Sequence, residues 1–288
     1  MSATATATAT SAVVGALPVP GATLHYRLQG SGPLLLISQS GEGDADRTVD
    51  LVPHLTDAFT VLTYDRRGLS RSRLTELGRT TSLAEHAEDV HRLLAAVTDE
   101  PALMLGCSLG AVIGLHVAVR YPGQVSTLIA HEPVAPRLLP EAERAHHEAE
   151  LAALQATYRD GGLEAAFPEM ARVLGIDLSR RDVEPDLTPQ PLDERRHANF
   201  DYFIEHDFSA VIGDTLDPAA LTGTRTRIVP ALGATTPSTV FDHQCATALA
   251  TLLDTEIRTF PGGHNGNTTH PRAYAQQLRS LLTAPDAA

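Results

Sequence analysis

The chain has 288 residues, 43% hydrophobic and 20% charged, and Lys+Arg 22 against Asp+Glu 35 gives a net charge of −13; at about 150 residues per domain two domains are expected, although large α/β folds run this long as one. The acidic balance argues against a broad nucleic-acid or anionic-membrane surface, which needs clustered Lys and Arg. Two cysteines, Cys107 and Cys245, with no CxxC pair exclude a disulfide scaffold or a Cys-rich zinc site, and fit a reducing, cytoplasmic setting.

Residues 1–12, MSATATATATSA, are low-complexity, with no basic n-region and no long apolar run. A signal peptide is not expected there; a disordered tail over 1–20 is. No stretch approaches about 18 uninterrupted apolar residues, so no membrane span is expected. ATLHYRL (22–28) alternates like a strand and ends at Gly30-Ser31-Gly32-Pro33. LLLIS (34–38) and TVLTY (60–64) are short continuous apolar runs, as expected of strands buried on both faces. Ser82-Leu83-Ala84-Glu85 is a capping box, and behind it Val90, Leu93, Leu94 and Val97 recur at helical spacing. ALMLG (102–106) and TLIAH (127–131) are further buried strands, and LGAVIGLHVAVRY (109–121) between them is a helix stopped by Pro122-Gly123.

Residues 135–221 change character: they carry charged helical segments and a Pro-rich stretch, DVEPDLTPQPLDE (182–194), without a strong strand. RIVPALG (227–233) and TEIRTF (255–260) then restore the alternation, and Tyr274, Leu278, Leu281 and Leu282 mark a final amphipathic helix. Strand–helix alternation predicts an α/β fold, a mostly parallel sheet of about eight strands with helices on both faces. A helical block over 135–221 divides this core into 21–134 and 222–288.

Gly106-Cys107-Ser108-Leu109-Gly110 matches G-x-S-x-G between a predicted strand and a predicted helix, the context that motif needs. A sharp strand-to-helix turn exposes the serine at the carboxyl end of the sheet, and the next N–H points at a developing oxyanion. Cys107 is the competing nucleophile, but the residue before the serine points into the fold and is expected as a buried, inert thiol. A serine alcohol needs a base oriented by a carboxylate. Among thirteen histidines, His264 stands out in Phe260-Pro261-Gly262-Gly263-His264-Asn265-Gly266, a glycine-rich turn after the last strand. His270, just before Pro271, is the weaker candidate. For the acid, Glu132 directly follows TLIAH and is favoured over Asp242, which lies beyond the loop after RIVPALG. The loop after LLLIS, Ser38-Gln39-Ser40-Gly41-Glu42-Gly43-Asp44, should supply a second oxyanion donor, so Ser40 N–H is paired with Leu109 N–H. Gly41-Glu42-Gly43 begins like a dinucleotide fingerprint, but Asp46 stands where the third glycine belongs and three acidic residues would repel a pyrophosphate. No P-loop and no H-E-x-x-H occurs, so neither cofactor nor metal is expected.

With these motifs in hand, the chain from about residue 20 onward resembles the α/β-hydrolases. The resemblance takes in TYDRRGLSRS (63–72), the elbow, the inserted block and FPGGHNG. Within that superfamily it is similar to small bacterial serine hydrolases with His-Glu-Pro after a core strand, and to the fungal zearalenone lactonases. The latter share a G-C-S-x-G-A elbow (Gly106 to Ala111), the pair His131-Glu132 and G-A-x-T-P (Gly233 to Pro237). The resemblance implies a Ser108–Glu132–His264 triad and makes 135–221 a cap over the pocket. Phe200, Tyr202, Phe203 and Phe208 are then candidate wall residues, with at least half of them expected in core packing. The lactonases also have a cap tryptophan that lines the ligand site. This chain has no tryptophan, and its Ser38-Gln39-Ser40-Gly41 loop departs from theirs, so the resemblance reaches mechanism and not substrate. The expectation is hydrolysis of a small-molecule ester or lactone through an acyl-enzyme, without nucleic acid or membrane as partner and with a homodimer left open. The alternatives on the same fold are a non-hydrolytic lyase or cyclase and a ligand-binding protein.

Overall fold

The computed structural model describes residues 12–75, 80–176 and 182–283. In chain order the elements are β1 (Val13–Val19), β2 (Ala22–Gly30), β3 (Leu34–Ser38), β4 (Thr60–Tyr64), β5 (Arg73–Leu74), α1 (Leu83–Val97), β6 (Ala102–Cys107), α2 (Leu109–Arg120) and β7 (Val125–His131). There follow α3 (Glu141–Val173), α4 (Glu194–Tyr202), a π-helical turn (Phe203–Asp207), α5 (Phe208–Ile212), β8 (Arg227–Gly233), α6 (Phe241–Leu252), β9 (Arg258–Phe260), α7 (Gly266–Thr269) and α8 (Pro271–Thr283). The strands form one sheet of nine in the order β1-β2-β4-β3-β6-β7-β8-β9, with β5 pairing β2. From β4 to β9 the path is parallel, while β2 meets β1, β4 and β5 antiparallel.

The continuous apolar runs are explained by burial on both faces. Along β3, Leu36 enters one apolar cluster with Leu62, Met104 and Leu128, whereas Leu35 and Ile37 enter the other with Val61, Leu105 and Ile129. This is the two-residue period of a strand read by two cores at once. Helices α1 and α2 cover the first face; α8 covers the second through Tyr274 and Leu278. At the start of α1 the capping box is complete: Glu85 N–H donates to Ser82 Oγ at 3.3 Å, and Ser82 N–H donates to Glu85 Oε2 at 3.0 Å.

Three boundaries differ from expectation. The tail expected over 1–20 does not hold for Val13–Val19, which pair with β2 along their whole length as an edge strand; residues 1–11 lie outside the described residues. VVGALPV shows no alternation and contains Pro18, which an edge strand tolerates. The ninth strand is β5, two residues long and too short to leave a pattern. The last strand begins at Arg258 rather than Thr255. Between β7 and β8 every described element is helical, and α3 is kinked at Gly162. Among the described residues no helix is long and apolar enough to cross a membrane.

Candidate active site

Ser108 stands at the junction of β6 and α2 with φ 55° and ψ −116°, a strained conformation for a residue with a side chain. The flanking glycines make the turn possible. A Cβ on Gly106 would lie 2.6 Å from Ala111 Cα, and one on Gly110 would lie 2.0 Å from Ser38 O. The elbow is thus pressed against the loop after β3. Ser108 N–H donates to His131 O at 2.8 Å, which ties the elbow to the end of β7.

The next residue after His131 is Glu132, also at positive φ (44°) and fully buried. Its Oε1 accepts from Gly233 N–H at 2.7 Å, and its Oε2 accepts from His264 Nδ1–H at 2.7 Å. Asp242, on the first turn of α6, brings Oδ2 to 2.8 Å from the same Nδ1. That contact is off the N–H direction, and neither Asp242 oxygen takes a hydrogen bond among the described residues. Burial would raise the Glu132 pKa, but the hydrogen bond from His264 and the neighbouring imidazoles lower it to about 2. Asp242 goes the other way: burial raises its pKa, the Glu132 charge adds to that, and His264 only partly offsets them. The two carboxyls are thus shifted in opposite directions, Glu132 down through its hydrogen bond from His264 and Asp242 up chiefly through its burial. Burial lowers the His264 pKa, yet Asp242 and Glu132 outweigh it and push it up to about 10.

Ser108, His264 and Ser40 line one cavity of about 330 Å³. No hydrogen bond joins Ser108 Oγ to His264 among the described residues; such contacts often tighten only around substrate. Leu109 is the first residue of α2, so its N–H has no intrahelical partner. Most of the apolar wall comes from the helical segment and α6: Leu151, Leu154, Phe167, Met170 and Phe241, with Phe200, Phe203 and Phe208, while Glu42 and Arg47 from the loop after β3 and Asn265 and Thr268 beside His264 add a polar side. Tyr202 instead meets Thr81, its hydroxyl 3.3 Å from Thr81 Oγ1. Phe203 and Phe208 also belong to the apolar core.

The other sequence candidates sit elsewhere. Cys107 is fully buried in the second core cluster, its Sγ 4.0 Å from Tyr274 Oη, and burial pushes its thiol up to about 12. His270 contacts Thr269 Oγ1 at 3.0 Å and Asp182 at 3.5 Å. The fingerprint-like loop after β3 leads into a four-residue 3-10 turn, Ala45–Thr48, rather than a crossover helix, and Glu42 is gripped by Arg196 at 2.6 and 2.8 Å. Among the described residues two groups are spaced so that they could offer ligands to a metal: Glu132, Asp242 and His264, and His146, His147 and Glu150 on α3. In the first a cation would compete with the Nδ1 proton; in the second both His147 nitrogens are already engaged, by Glu150 and Gln244.

Sequence reasoning passed over Arg66 and Asp207. The guanidinium of Arg66 donates to Ser40 O at 3.0 Å, Gly41 O at 2.6 Å and Asp207 Oδ2 at 2.5 Å. Its signal was the TYDRRGLSRS run, which carries part of the family resemblance without stating a role.

Comparison with known proteins agrees with this architecture. Residues 33–271 match the family described as alpha/beta hydrolase fold. The chain is 37% identical over 272 residues to the uncharacterized hydrolase YraK of Bacillus subtilis, covering 93% of this chain and 95% of that one. It is 32% identical over 108 residues, 38% of each chain, to a 2-(acetamidomethylene)succinate hydrolase of Mesorhizobium japonicum. Among solved structures, a hydrolase from Pseudomonas aeruginosa superimposes with a TM-score of 0.69 at 26% identity, over 94% of this chain and 98% of that one.

Proposed function

Because the chain belongs to the alpha/beta hydrolase fold family and is a hydrolase of that family, we propose that it cleaves a carboxylic ester or lactone through an acyl-enzyme on Ser108. The observation that carries this reading is the His264 Nδ1–H bond to Glu132 at 2.7 Å, on an imidazole that shares its cavity with a serine at a strained strand-to-helix elbow. With Nδ1 committed to the carboxylate, Nε2 is the ring nitrogen left to take a proton. Ser108 Oγ attacks the carbonyl carbon while His264 Nε2 accepts the hydroxyl proton. Glu132 fixes the tautomer and stabilises the imidazolium. The N–H groups of Ser40 and Leu109 receive the oxyanion, each such donor being worth about 3 kcal/mol in the barrier. His264 then protonates the leaving alkoxide, and a water activated by the same imidazole returns Ser108 to its alcohol and releases the acid.

The phenylalanine- and leucine-rich wall supports a substrate with an apolar cyclic or aryl group on one side of the scissile bond. In a lactone that side group and the leaving alkoxide belong to one molecule and leave together as a hydroxy acid.

A fluorophosphonate probe and an activated aryl ester test the reading together. The expected result is covalent labelling at Ser108 in the unmodified protein and, in Ser108→Ala, loss of labelling with turnover down by at least about 10³-fold. Retained turnover in Ser108→Ala would remove Ser108 as the nucleophile.

A further inference from the structure

The π-helical turn Phe203–Asp207 reaches across the cavity to the loop that carries Ser40. Two contacts join them. A Cβ on Gly41 would lie 2.4 Å from the Phe203 ring, so the loop backbone lies directly against that ring. Asp207, at the end of the same turn, holds Arg66, and Arg66 in turn holds the carbonyls of Ser40 and Gly41. The ion pair itself is closed to solvent: Arg66 is 2% exposed and Asp207 0%. His86 on α1 packs its Nε2 3.2 Å from the other Asp207 oxygen. Burial would raise the Asp207 pKa, but Arg66 first and His86 second hold it below the ordinary carboxylate value, so Asp207 acts as an anion.

A carbonyl and the next residue's N–H belong to one rigid peptide plane. A guanidinium that holds the carbonyls of Ser40 and Gly41 therefore fixes the two peptide planes on either side of Gly41; Ser40 N–H belongs to the plane before them and is restrained one step further on, through the φ and ψ of Ser40, whose own carbonyl is held. We propose that Asp207 is a positioning residue: through Arg66 it aims the oxyanion-binding loop, so that the donor at Ser40 is set only while the π-helical turn is seated. This rests on the serine-hydrolase reading, since it concerns the loop assigned to the oxyanion. The helical segment thereby does two things at once, forming the apolar wall and completing the polar side of the site.

The same stretch of chain supplies an internal comparison. The neighbouring Arg67 forms an equally buried pair with Asp89 on α1, at 2.6 Å for each of two nitrogens, and its remaining bond goes to Pro20 O. Among the described residues that pair makes no hydrogen bond or ion pair to the Ser40 loop or to the π-helical turn.

The experiment compares Asp207→Asn with Asp89→Asn in the full-length protein. It measures kcat and KM on an activated aryl ester, the rate of fluorophosphonate labelling of Ser108, and Tm. Both variants should lose thermal stability. Asp207→Asn should also lower kcat and the labelling rate on the order of tenfold or more, with KM within about twofold, because a misaimed donor weakens the transition state rather than the ground state. Asp89→Asn should leave kcat within about twofold. Should Asp207→Asn fail to fold, Asp207→Glu keeps the charge at a changed reach, and the same split of kcat from KM is expected. Unchanged kcat in a folded Asp207 variant, or an equal fall in Asp89→Asn, overturns the proposal alone, provided the unmodified protein is labelled at Ser108. No labelling and no ester turnover in the unmodified protein overturn it together with the hydrolase reading.

Discussion

Glu132 and Asp242 meet His264 at one nitrogen, 2.7 and 2.8 Å away, and both are buried. Only Glu132 is aligned to accept the Nδ1 proton. Asp242 still contributes charge to the imidazole whenever it ionises, and this has a consequence for pH. A general base works unprotonated, so kcat/KM rises with pH through its pKa. Since the two carboxylates push the His264 pKa up to about 10 against the opposing effect of burial, the rising limb should lie well above the ordinary histidine value of about 6.5. Asp242→Asn removes one of those carboxylates and should carry the limb to lower pH with little loss of the plateau. Glu132→Gln should instead cut the plateau by on the order of 10²-fold or more, since the imidazole loses its orienting acceptor. A full pH profile for both variants decides it; the opposite pattern would make Asp242 the orienting acid. Glu132 was readable in the sequence because it directly follows a strand, and strand ends in such sheets converge. The sequence offered Asp242 as the alternative acid; that both carboxylates arrive at the same atom was not readable. It depends on how α6 lies over the ends of β7 and β8, a distance in space that no spacing along the chain encodes.

At the level of elements, the elbow and the loop after β3 are in direct backbone contact. Gly110 has no room for a Cβ because Ser38 O would be 2.0 Å from it. Gly110→Ala should therefore separate α2 from the loop and cost about 1–3 kcal/mol of stability, seen as a lowered midpoint in a denaturant titration. It should also lower activity in the molecules that remain folded, because Leu109 and Ser40 stand on the two separated parts. Full stability and activity in that variant would mean that the contact is not needed. Most elements were legible from pattern alone: the apolar runs of β3, β4, β6, β7 and β8, and the capping box of α1. Those that escaped notice are short or unpatterned. β5 has two residues, β1 draws its stability from seven paired positions with β2, and the π-helical turn makes sense only with Arg66 opposite it. In each the information lies in the partner element.

At the scale of the whole molecule, the cavity joins two parts of the chain: the strand ends supply Ser108 and His264, and the helical segment supplies most of the apolar wall. Enlarging the wall should therefore alter selectivity more than chemistry. Phe203→Ala is unsuitable, since Phe203 also packs in the core, but Phe167→Ala should raise KM for aryl esters several-fold while leaving kcat on acetyl esters nearly unchanged. A steady-state comparison of the two substrates checks this, and an equal effect on both would argue against Phe167 as a wall for the apolar group. The bonds that complete the site join residues far apart in the chain: 132 positions separate Glu132 from His264, 101 separate it from Gly233, and 141 separate Arg66 from Asp207. Closing loops of that length precedes any reward from the contacts they bring. Turnover is thus a reporter of the finished fold. During refolding, helical signal should return before hydrolytic activity does, and the interval between the two measures how long the sheet takes to gather its strand ends.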